Sequence, residues 1–193
     1  MHKEITIMDM DIIYKVDYRN VKYPRLEFKT GDLLLILPKD YKKDEKDLIH
    51  KHQGWIYKKQ KEIVKALQRT SKKTLNKKRD KEVFKEYVLE IAEGFMEDLG
   101  VEARQINFRI MKSKWASCSD RRNLTINTLL MYLPNDLIKY VVYHEVVHLK
   151  EKEHSKKFWD IIKKKFKYYN RKEKDLLTYW FLIQEERKSG EIA

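Results

Sequence analysis

The sequence of 193 residues has a single cysteine, Cys118, so no intramolecular disulfide can form and nothing in it is built for an oxidising compartment. Only five glycines occur, and neither G-x-x-x-x-G-K-[ST] nor G-x-G-x-x-G is among the motifs, which excludes a glycine-rich phosphate cradle. No apolar run approaches the roughly 18 residues of a membrane span. The opening stretch "MHKEITIMDMDIIYKVDY" lacks the uninterrupted apolar core of a signal peptide. Together these absences predict a soluble, cytoplasmic protein with no membrane partner.

Charge is abundant instead. Lys+Arg number 43 against 30 Asp+Glu, a net charge of +13. Such an excess favours anionic partners, nucleic acid or nucleotides, although a Lys/Glu-rich surface laced with ion pairs has the same composition. With 42% hydrophobic residues the chain still has enough apolar side chains for a core, so it reads as globular despite its polarity.

Three regions follow from the patterning. Residues 1–67 form an amino-terminal lobe. Here "EITIMDMDIIYKVDY", "RLEFKT" and "DLLLILP" alternate as strands of a small antiparallel sheet, with turns at "NVKYP" and "TGD". An amphipathic helix carrying Leu48, His52, Trp55, Ile56, Lys59, Ile63 and Leu67 completes this lobe. Residues 68–80 are polar and basic and read as a linker, with the stretch from 68 to 81 as the candidate nucleic-acid contact. Residues 81–193 form the second domain. Its first helix carries Phe84, Val88, Ile91, Phe95 and Leu99 at helical spacing and stops at Gly100. "RQINFRIMKSKWASCS" and "NLTINTLLMYLP" then read as two strands joined at "DRRN". A helix from 135 to about 150, capped by Asn135 or Asp136, a helix capped by Ser155, and a last helix with Leu176, Leu177, Trp180, Phe181 and Ile183 follow.

The chemistry concentrates in "HEVVHLKEKEH", residues 144–154, which holds three of the six histidines. The surrounding helix has Leu137, Ile138, Tyr140, Val141, Val142, Tyr143, Val146, Val147 and Leu149 on nearly every side, which predicts burial. His144, Glu145 and His148 are polar groups that such a helix must satisfy, because an unpaired buried charge costs several kcal/mol, roughly. His144 and His148 stand one turn apart, about 40° round the axis, so both imidazoles can reach one ion. Glu145, about 100° further round, is placed to take a proton from a water on that ion. His154 is the candidate third ligand, provided that the chain turns within "LKEKE", where no glycine eases the bend. The competing reading, two satisfied core histidines and a surface His154, leaves Glu145 without a purpose.

"MKSKWASCS", "NLTINTLLMYLP" and "YVVYHEVVHLKEKEHSKKFW" resemble the YgjP-like metallopeptidase domain family, related to the SprT-like and WLM zinc proteases. The resemblance covers about residues 105–160. It implies an α+β, zincin-like metallopeptidase fold with a small antiparallel sheet, an HExxH helix and carboxy-terminal helices. It also implies Zn2+ held by His144, His148 and His154, with Glu145 as the catalytic base. The chain departs from the family pattern at Ala116, where glycine is usual, and at Glu153, where asparagine is frequent.

Other candidates are weaker. Cys118 lacks a partner at any useful spacing, and His50 and His52 point to different helix faces. Trp115, Asn127, Trp159 and Trp180 are expected to pack. The expectation is therefore a zinc hydrolase that cleaves peptide bonds in a protein or peptide substrate, which could lie along the sheet edge near residues 110–127. The alternatives are hydrolysis of nucleotide phosphoanhydrides at the same metal, or a protease associated with nucleic acid through its basic surface.

Overall fold

The computed structural model describes residues 2–29 and 31–192. The chain divides into two compact units, Met1–Arg69 and Thr70–Ala193. Thr30, in the turn expected at "TGD", lies outside the described residues. Among the described residues, no helix is long and apolar enough to cross a membrane.

The first unit is a four-stranded sheet with two helices. Strands β1 (His2–Ile7), β2 (Met10–Arg19), β3 (Arg25–Lys29) and β4 (Asp32–Pro38) lie in the order β1-β2-β4-β3. The sheet is mixed, which corrects the antiparallel expectation: β1 with β2 and β3 with β4 are antiparallel, but β2 and β4 run parallel. Alternation dictates which side chains face the core and says nothing about the direction of the neighbour. The centre goes to the most apolar strand, β4, whose Leu33, Leu35, Ile36 and Leu37 are buried, since a central strand is shielded on both edges. Helix α1 (Glu45–Lys51) is interrupted at His52 before α2 (Gln53–Thr70), so the single expected helix is two. Ile49 and Ile56 from these helices join Ile7, Ile12, Tyr14, Leu33, Leu35 and Leu37 in one core.

The second unit starts with a loop that is not a free linker. Residues 68–70 belong to α2, and beyond them Lys73 pairs with Asp175 and Lys77 with Glu186 and Glu191. Arg79 donates to the carbonyls of Met131 and Leu133 at 2.6 and 2.8 Å. Helix α3 (Lys81–Leu99) is capped by Asp80, whose carboxylate accepts from the Glu82 and Val83 amides, and ends at Gly100 with φ 62°. That left-handed geometry favours glycine.

A three-stranded sheet follows, made of β5 (Gln105–Arg109), β6 (Ala116–Cys118) and β7 (Asn123–Asn127) in the order β5-β7-β6. Here too the antiparallel expectation is corrected, because β5 runs parallel to β7 and only β6 is antiparallel to it. The expected strand 104–119 is two strands, and "NLTINTLLMYLP" is a strand only as far as Asn127. There the side-chain oxygen accepts from the Leu129 amide and starts a 3-10 helix, Thr128–Tyr132.

Helix α4 (Asn135–Val147) runs through the middle of the unit against α3, β6, β7 and two later helices, α5 (Lys156–Lys165) and α6 (Tyr169–Lys188). Its cap is Pro134, not Asn135 or Asp136. Both candidate side chains are otherwise engaged, Asn135 accepting from Arg79 and Asp136 pairing with Lys172. Ser155 caps α5 as expected, accepting from the Phe158 amide.

Candidate metal centre

Helix α4 turns one polar row toward β6. Burial covers nine of its thirteen residues, Leu137 through Val147 with the exceptions of Lys139 and His144, and Glu145 is among the buried at 8% exposure. His144 and His148 are half-buried and His154 is exposed.

The chain turns back after α4 without glycine. The amides of Leu149 and Lys150 bond to the Val146 and Val147 carbonyls, tightening the last turn, and Glu151 bonds to Val147 as well. Among the described residues, positive φ outside glycine is confined to Met8 and Arg122, so the bend carries no left-handed residue. It brings His154 back over α4, with the His144 and His154 Nε2 atoms 2.9 Å apart. Ligand nitrogens of His144, His148 and His154 all lie within 4.8 Å of one another, the one such group of three among the described residues.

The bend also sets a tautomer. A carbonyl can only accept, so the 3.1 Å contact between His148 Nδ1 and the Glu151 oxygen puts the proton on Nδ1 and leaves Nε2 with a free lone pair. Burial, then the two other imidazoles, push His144 down to about 3. Burial also lowers His148, against the pull of the Glu151 hydrogen bond. Burial that keeps His144 and His148 neutral suits both to a divalent cation.

Aromatic rings hold these imidazoles. Phe158, fully buried on α5, lies 4.6 to 4.8 Å from all three rings, centroid to centroid. Trp159 stacks on His154 at 5.5 Å and on Tyr169 at 4.9 Å. Tyr140 lies edge-on to His144 and donates a short hydrogen bond to Glu173.

A cleft of about 350 Å³ opens over the histidines, between α4, the following bend and β6. Burial drives the Glu145 carboxyl up to about 7, opposed by the Lys114 charge and by a backbone hydrogen bond from Cys118. Cys118 faces the same cleft, but burial raises its thiol, the wrong direction for a nucleophile. Asn127 is buried and donates to the carbonyls of Met111 and Lys114, pinning the loop before β6. Trp115 packs edge-on against Trp180. Ala116, where the resembling pattern has glycine, is buried within β6.

His50 and His52 take no part in the cluster. Lys114, Asp120 and Lys152 line the cleft without having been singled out from the sequence. Lysines and aspartates are so frequent on this surface that only the fold could distinguish these three.

No curated protein matches the chain. Among solved structures, the metallopeptidase zymogen jannalysin of Methanocaldococcus jannaschii is similar at 26% identity and a TM-score of 0.41, over 46% of this chain and 90% of that one. The metallopeptidase zymogen abylysin of Pyrococcus abyssi is similar at 26% identity and a TM-score of 0.37, over 40% of this chain and 77% of that one. The model of the YgjP-like metallopeptidase domain matches residues 65–179, a span that takes in the histidine cluster, the cleft and the helices that carry them. More than half of the chain lies within that match, and the protein belongs to the YgjP-like metallopeptidase domain family.

Proposed function

We propose that the protein is a cytoplasmic zinc metallopeptidase of the zincin type, with His144, His148 and His154 as metal ligands and Glu145 as catalytic base. The observation that carries this reading is the convergence of three imidazole nitrogens within 4.8 Å beside a buried carboxyl, in an open cleft. The donor set fits zinc: three nitrogen ligands leave a fourth position for water or substrate. Bound there, Zn2+ supplies Lewis acidity and brings the pKa of a coordinated water toward about 7.

The chain's own residues do the rest. Glu145 takes the proton of the attacking water and returns it to the leaving amine. Its burial, which raises its affinity for that proton, suits a group that must hold and then release it. The substrate strand lies along β6, which the order β5-β7-β6 leaves as a sheet edge beside the cleft. Catalysis belongs to the second unit, which contains every one of these residues.

Peptide libraries and nucleotides, offered to the wild type and to Glu145→Gln with zinc content measured in both, test the reading. Hydrolysis of peptides alone, lost in the variant while zinc stays stoichiometric, is the expected result. Hydrolysis of nucleotides alone would replace this reading with a phosphoanhydride hydrolase. A nucleic-acid role through the stretch 68–81 receives less support, because Lys73, Lys77 and Arg79 are already engaged within the second unit.

A further inference from the structure

The three imidazoles are not held alike. His144 projects from α4, and His148, at its end, is oriented by the Nδ1–H bond to the Glu151 carbonyl. His154 sits in the irregular segment before α5 and is exposed, and its contact with His144 Nε2 is the one hydrogen bond described for it. That contact cannot orient the ring for a metal, because both nitrogens are the atoms a metal would take. What remains is ring packing: Phe158 meets the His154 ring edge-on at 4.7 Å but serves all three imidazoles alike, whereas Trp159 lies nearly parallel to the His154 ring, 25° between planes at 5.5 Å, and Tyr169 lies on Trp159 at 22° and 4.9 Å.

We propose that Trp159, backed by Tyr169, is the positioning residue for His154, supplying by ring stacking the orientation that a hydrogen bond supplies to His148. The proposal rests on the assignment of the three histidines as metal ligands. Trp159 comes from α5 and Tyr169 from α6, so the stack ties the least constrained ligand to two helices of the core. A flat, parallel ring restricts rotation of the imidazole out of its plane and leaves its edge, where both nitrogens lie, free to face the cluster. Partners that orient a ligand in this way act on metal affinity before they act on turnover.

The test is zinc affinity of the full chain, measured by competition with a chromophoric chelator, alongside the melting temperature of the metal-free protein. Trp159→Ala should weaken zinc binding about 10- to 100-fold, the range for loss of a partner that orients a ligand. Trp159→Phe, which keeps a ring against His154, should recover most of the affinity. Tyr169→Ala should give an intermediate loss, and carries the test with Trp159→Phe if Trp159→Ala does not fold. Trp180→Phe, a change in a tryptophan that packs on Trp115, should leave the affinity unchanged. Wild-type affinity in a folded Trp159→Ala, or in both Trp159→Phe and Tyr169→Ala if Trp159→Ala does not fold, overturns the positioning role. If the wild type takes up zinc and His148→Ala does not, that failure leaves the metal site standing. A wild type that takes up no zinc overturns both.

Discussion

His144 and His154 meet Nε2 to Nε2 at 2.9 Å across ten residues of chain, the first on a rigid helix and the second beyond a bend. Such a contact is favourable only while one nitrogen carries a proton for the other to accept. A divalent ion held by both nitrogens would displace that proton, so the hydrogen bond and the metal compete for the same two atoms.

Zinc should therefore stabilise the protein by mass action. With free zinc at 100 times the dissociation constant the gain is about 2.7 kcal/mol, seen as a rise in melting temperature that a chelator reverses. His148→Ala should abolish the rise. A melting temperature indifferent to zinc would contradict the assignment of the ligands.

Glu145 should make the metal-free protein less stable as pH rises. Its carboxyl titrates at about 7 when folded, against 4.5 ordinarily. Below 4.5 both states hold the proton and no cost arises. Between 4.5 and 7 the unfolded chain releases it first, so stability falls, and above 7 the full cost, on the order of 3 kcal/mol, persists. Glu145→Gln removes this dependence. Under chelation the variant should melt above the wild type at pH 8, with the difference shrinking at pH 5, and its peptide turnover with zinc should fall by about 10² to 10⁴.

Asn127 stands behind the cleft rather than in it. Asn127→Ala leaves the Met111 and Lys114 carbonyls and the Leu129 amide without their partner, and should cost about 1–3 kcal/mol in denaturant unfolding. Hydrogen exchange at residues 111–116 should accelerate more than exchange in α6.

Two glycines of the second unit should respond with opposite signs. A Cβ at either Gly94 or Gly100 meets nothing within 4 Å, so backbone conformation alone decides. Gly94→Ala, inside α3, should stabilise by about 0.5–1 kcal/mol. Gly100→Ala, at φ 62°, should destabilise by about 1–2 kcal/mol. Equilibrium unfolding of the two variants reads both.

The local signals were legible where one residue's chemistry acts on its own neighbourhood. Gly100 and Ser155 end and start their helices as their local chemistry dictates, and the four-residue spacing of His144 and His148 sets their common face whatever surrounds the helix. Expectations failed where a competitor came from far along the chain. Asn135 and Asp136 did not cap α4 because Arg79 and Lys172 engage them, and the parallel pairs β2 with β4 and β5 with β7 left no mark in the alternation.

By itself the sequence determined the ingredients: an apolar helix with two histidines and a glutamate on it, a third histidine six residues on, and a Phe-Trp pair just beyond. Only the tertiary structure decided that the bend after Val147 closes without glycine, that His154 returns to within 2.9 Å of His144, and that β6 becomes the edge beside them. Spacing along a helix follows from the geometry of the helix alone, whereas the closing of a loop and the choice of a strand's neighbour depend on which distant surfaces bury the most apolar area together.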